Sequence, residues 1–234
     1  MNERFGRRFV VWNGILLVVM LVTAFALDLA IWNSTGGPPA IDLNHLSTDL
    51  VRANGSSLWP IETWLYILLV IPGLTFTIGV KSVLKHPDQE LLLVTAKNSM
   101  ILFWIFHTLH NVVLLTVLYG AASYSPADTT QALNFESVAD MLLRFSNLLF
   151  GFGTSIGALF LVFALGLFGY LTYLNKKFTN RIAFIALGAS IAILLSYLQS
   201  VSGVFFALGL LGWVLFIFWV FSMTFRLAKG DLED

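Results

Sequence analysis

Cysteine is missing from this chain and charge is scarce, with only 11% of its 234 residues being Asp, Glu, Lys or Arg. The first absence excludes disulfides, thiolate metal sites and a cysteine nucleophile. The second excludes a soluble domain, whose surface usually needs about 25% charged residues. Its 13 basic and 13 acidic residues cancel, so no electrostatic footprint for nucleic acid is present. Histidine is also sparse, at four, and none follows His110.

What the chain has in abundance is apolar side chains, at 58% of residues. A bilayer core about 30 Å thick needs roughly 20 helical residues to cross it. Six runs reach or approach that length: residues 9–32, 61–84, 91–119, 148–173, 182–199 and 203–225. None alternates as a barrel strand would, so the expected fold is all-α, a single six-helix transmembrane domain over residues 1–234. The leading MNERFGRR runs into an apolar stretch longer than a signal-peptide core, without an Ala-x-Ala-like site, and is expected to stay as the first span. Of the 13 basic residues, all but Arg52 and Arg144 fall on one side of this arrangement. That bias predicts a chain in the cell's inner (plasma) membrane with both termini cytoplasmic.

The outer side holds the longer connections. Residues 33–60 carry a Gly36-Gly37-Pro38-Pro39 breaker and then an amphipathic stretch, and residues 121–147 carry a capping signal at Ser137-x-x-Asp140. Both are expected to lie on the outer leaflet as interfacial segments. Within the spans, Pro72 and Gly73 predict a kink or hinge in the second helix, because proline removes a backbone donor. Gly153 and Gly157 form a small-xxx-small pattern that favours helix packing over any chemical role. Trp12, Trp32, Trp59, Trp64 and Trp219 fall near predicted interfaces and read as belt anchors.

The polar interruption of the third span is the chief site candidate. Trp104, His107 and Asn111 fall on one helical stripe, with His110 on its flank. Polar groups at that depth are costly without partners, so they serve as hydrogen-bonded ties between helices or as a pocket for a ligand or proton. Asp28, in the outer part of the first span, is expected to pair with Arg52 or Arg144, the only basic residues on that side. No carboxylate is expected near the midplane and no core carboxyl pair, so no metal site is predicted. Asp42, His45 and Asp49 share a face but read as a solvated one. Axial histidines for haem should come from two facing helices, whereas the core histidines lie on one, and no cofactor is expected.

His107-x-x-x-Asn111 resembles the oxyanion-stabilising pair of rhomboid intramembrane serine proteases, and Gly153-Thr-Ser155-Ile156 is similar to their nucleophile motif. The likeness fails for want of a histidine base after His110 and of a glycine at position 156. Over nearly its whole length, through GRRFVVWNGILLVVMLVTAFALDLA and GFGTSIGALFLVFALGLFGYLTYLNKKFTNRIAFIALGASIAILLSYL, the chain resembles a large bacterial family of six-helix membrane proteins catalogued only as a domain of unknown function. The resemblance implies a six-helix bundle and carries no catalytic residue. With no nucleotide loop, core carboxyl pair or complete triad, the leading expectation is a non-catalytic accessory or small-ligand-binding membrane component. It would work in the lipid bilayer with other membrane subunits or as a homo-oligomer. The alternatives are a carrier or channel for a small solute or protons and, more weakly, a haem-bearing electron-transfer subunit.

Overall fold

Hydrocarbon offers no partner to backbone N–H and C=O groups, so a chain this apolar satisfies them inside helices. The computed structural model describes residues 3–35, 58–84, 87–122, 129–150, 155–175 and 178–229, and among them the long elements are all helices, with no strand. We number them α1 (Glu3–Thr35), α2 (Leu58–Leu68), α3 (Val70–Val83), α4 (Glu90–Ala122), α5 (Thr129–Phe150), α6 (Ile156–Leu174), α7 (Asn180–Leu195) and α8 (Gly203–Lys229). Among the described residues six stretches are long and apolar enough to cross a membrane: Arg8–Ile31, Leu58–Val83, Glu90–Gly120, Ile156–Leu174, Asn180–Leu198 and Gly203–Lys229. The second of these comprises α2 and α3. The fold is thus that of a multi-pass helical membrane protein.

Each span packs on the next in sequence, and α8 returns to pack on α1, which closes the six into an up-and-down ring. Succession in alternating directions gathers Arg8, Lys81, Lys97, Arg181, Arg226 and Lys229 at one end, here the basic end. There Lys81 bridges α3 to Glu90 of α4 at 2.9 Å.

The centre of the ring is filled with aromatic side chains. Trp104 packs on Phe103 with ring centroids 4.7 Å apart, and both meet Phe216 of α8. Phe216 stacks on Trp219, which is flanked by Phe76 of α3 and Phe168 of α6. Large rings on α3, α4, α6 and α8 are accommodated because α7 presents small residues, with Ala183, Ala186 and Ala189 fully buried. At the α7–α8 contact the backbones nearly touch. A Cβ built on Gly212 would lie 2.9 Å from the Ile193 amide nitrogen and 3.2 Å from the Ala189 carbonyl oxygen. Across α6 and α7 the Ser190 hydroxyl donates to the Val162 carbonyl at 2.9 Å, the kind of interhelical tie that small polar residues supply in lipid.

Three local expectations change in the structure. The second span is broken at Leu69, between α2 and α3, three residues before Pro72. Proline has no N–H for the Leu68 carbonyl and its ring crowds that oxygen, so the strain falls one turn earlier. The ladder continues on either side, from Leu69 N–H to Leu65 at 3.1 Å and from Gly73 N–H to Leu69 at 2.9 Å. Ser137 does not cap a helix. It lies inside α5, which begins at Thr129, while the helical cap falls to Ser155, whose hydroxyl accepts from the Ala158 N–H at 3.2 Å to start α6. Among the described residues the fourth candidate span is Ile156–Leu174. Trp219 is not an interfacial anchor, since α8 runs on to Lys229 and places that ring in the core at 1% exposure. Trp12 and Trp64 are exposed.

Candidate functional site

On α4, one turn beyond the aromatic centre and away from the basic end, the side chains become polar. Of the stripe expected from helical spacing, Trp104, His107 and Asn111 are buried, as is Met100 one turn before them, while Leu114 one turn after is partly buried. Trp104 meets the broken second span. Its ring lies so close to Gly73 that a Cβ there would stand 2.4 Å from it, and its indole N–H donates to the Thr77 hydroxyl at 3.3 Å. The Pro72-Gly73 pair and the α4 stripe are therefore one packing unit. Asn111 donates to the carbonyl of His107 at 2.8 Å, a bond along the helix rather than to the imidazole.

The imidazole of His107 has an aromatic enclosure. It meets Phe150 of α5 edge-on at 4.6 Å, Tyr66 of α2 at 5.2 Å, and Phe103 at 5.8 Å. Its Nδ1 is buried without a hydrogen-bond partner. His110 has a different surrounding. Its Nδ1 is 2.7 Å from the Ser146 hydroxyl and 3.0 Å from the Ser146 carbonyl, so in either tautomer the ring ties α4 to α5. Ser146→Ala removes the hydroxyl but keeps the carbonyl contact. It is expected to lower stability by about 0.6 kcal/mol, the average for an interhelical hydrogen bond in lipid, measured by unfolding in mixed micelles.

Asp28 of α1 does not pair with Arg144 in this structure. Arg144 binds Asp140, one turn away on α5, at 2.8 Å. Both groups of that pair belong to a helix that reaches the end of the bundle, where a local partner costs less to order than one across the fold. Arg52 lies outside the described residues, as do Gly153, the Asp42, His45 and Asp49 face, and most of the expected outer segment. Asp28 instead accepts a hydrogen bond from the Tyr66 hydroxyl, at 2.6 Å, and the Glu62 carboxyl lies near it. Glu62 is buried, at 6% exposure, whereas Asp28 is half-buried. Glu62 is therefore a buried carboxyl near Asp28, in the half of the bundle away from the basic end.

Glu62, Tyr66 and Ser146 were not singled out by sequence. A signal for the first two existed: Glu62 and Tyr66 are one turn apart inside an apolar run, on one face of α2. Glu62 stands so near the start of that run that it reads as an interfacial residue, and only the packing of α1 on α2 encloses it. Gly157 is close-packed, with a Cβ there falling 2.7 Å from the Leu149 carbonyl oxygen. Ser155, besides capping α6, accepts at its carbonyl from the hydroxyl of Tyr197, in the turn that follows α7. Among the described residues no group of three His, Asp or Glu is placed to hold a metal ion.

No family model, curated protein or solved structure matches this chain.

Proposed function

We propose that the chain is a non-catalytic, non-conducting binding component of a bacterial plasma membrane, with both termini cytoplasmic, acting alongside other membrane subunits or as a homo-oligomer. The orientation rests on the basic end, which positive-inside bias assigns to the cytoplasm. The position of the polar group relative to the aromatic centre carries the functional reading. Asp28, Glu62, Tyr66, His107 and Asn111 occupy the half of the bundle away from the basic end, and Phe103, Trp104, Phe216 and Trp219 pack between them and that end. A polar group closed off by packed rings towards the basic end suits binding better than passage. The carrier reading draws on the break at Leu69, since discontinuous helices line transport sites. It requires Trp104 to leave Gly73 and Thr77 before anything can pass.

Proteoliposomes with an entrapped pH dye separate the two readings. Under an imposed pH gradient, vesicles bearing the protein are expected to leak protons no faster than empty vesicles. A leak that rises with protein content and disappears in Trp104→Ala or His107→Ala would make the protein a conduit and end this proposal.

A further inference from the structure

At 5% exposure the His107 imidazole keeps Nδ1 without a hydrogen-bond partner, and a polar atom buried in that way is costly unless something satisfies it. The polar side chains around it are engaged elsewhere. Asn111 donates to the His107 carbonyl, the Tyr66 hydroxyl to Asp28 and the Trp104 indole N–H to Thr77, while His110 Nδ1 lies against Ser146. What encloses the ring is aromatic: Phe150, Tyr66 and Trp104 stand edge-on to it, and Phe103 is tilted against it. None of the four carries a charge, so the enclosure suits a neutral partner. Phe103 and Trp104 are buried, whereas Phe150 is the last residue of α5 and is partly exposed. Along the outside of α5 the residues leading to it, Val138, Met141, Phe145 and Leu148, form an exposed apolar stripe in steps of three and four. The way to His107 past Phe150 is therefore apolar.

We propose that His107 anchors a binding site for the headgroup of a membrane quinone, a neutral flat ring with oxygen at its edge, and that Phe150 is the gate to it. This deepens the binding reading above by naming its ligand, and rests on that reading. A neutral imidazole carries a hydrogen on one nitrogen and a lone pair on the other, so Nδ1 can donate to a quinone carbonyl or accept from a quinol hydroxyl. One nitrogen serves both forms of the ligand. The rings of Phe103, Tyr66 and Trp104 offer faces and edges against which a planar conjugated ring packs. The stripe on α5 leads in from the bilayer, where such a compound is dissolved. In the free protein the Phe150 ring fills the approach, with its centroid 4.6 Å from that of His107. Turning that side chain aside exposes Nδ1 and vacates the space of one aromatic ring. The bound headgroup then lies near two tryptophans, Trp104 beside His107 and Trp213 beside Phe150. Binding there is local and does not require passage across the aromatic centre.

The full-length protein in nanodiscs, titrated with a long-tailed quinone dissolved in the lipid, reports binding through quenching of its tryptophan fluorescence. Quenching is expected to saturate, and protection against heat unfolding should follow the same curve. His107→Phe keeps an aromatic ring without the nitrogen and should raise the half-saturating quinone content about tenfold, the worth of one buried hydrogen bond. Phe150→Ala removes the gate and should lower that content, while Ser190→Ala, at the α6–α7 tie, should leave it unchanged. A long-chain alcohol has the oxygen without the ring and should not protect. A quinone carrying isotopic carbon at its carbonyls reads the hydrogen bond in the wild-type protein, so a variant that fails to fold leaves the test intact. Its carbonyl stretch should fall below the value in protein-free lipid. Quenching that never saturates, a His107→Phe curve that superimposes on the wild type, equal protection by the alcohol, or an unshifted carbonyl stretch overturns the proposal. Proton leak in liposomes would instead overturn the non-conducting reading and leave the quinone site in place.

Discussion

Trp104→Ala should be among the most damaging single substitutions in this protein, costing about 3–5 kcal/mol, as removal of a large buried aromatic side chain commonly does. The indole is 1% exposed and touches Phe103, His107 and Phe216, besides lying on the backbone of Gly73. Its removal leaves a cavity at the point where the broken second span leans on α4, and the Thr77 hydroxyl loses its donor. The reciprocal change, Gly73→Val, places side-chain atoms where the ring now is and should displace it at comparable cost. Heat challenge in detergent followed by size-exclusion chromatography measures both. If each variant survives heating as well as wild type, Trp104 is not the wedge between α3 and α4.

Gly212→Leu is expected to push α7 and α8 apart. The nearest neighbours of a Cβ at that position include the Ile193 amide nitrogen at 2.9 Å, a backbone atom that no rotamer change can move. Overpacking a close contact costs about 1–3 kcal/mol when side chains can adjust, and here the helices themselves must shift. Gly203→Leu provides the contrast, because nothing lies within 4 Å of a Cβ at the start of α8. The first variant should express poorly or melt early in the same assay, while the second should behave as wild type. Equal behaviour of the two would mean that the α7–α8 approach is not as close as described.

The sequence by itself determined how many times the chain is apolar for long enough to cross a membrane, and where. Hydropathy is a local property that lipid enforces one segment at a time, and the fifth run, residues 182–199, nearly coincides with the span Asn180–Leu198. It also placed Trp104, His107 and Asn111 on an inward stripe, since helical periodicity fixes which residues share a face. Pro72 announced the disturbance that falls at Leu69. Tertiary structure alone decided which faces meet. Whether Asp28 reaches Arg144 or Tyr66 depends on the rotation and relative depth of α1 and α2, and these are set by packing around Ile31 and Trp59, not by either helix alone. Glu62 became a buried group, and Trp219 a core residue, for that same reason. Burial depends on contacts between segments distant in sequence, and no window along one helix contains them.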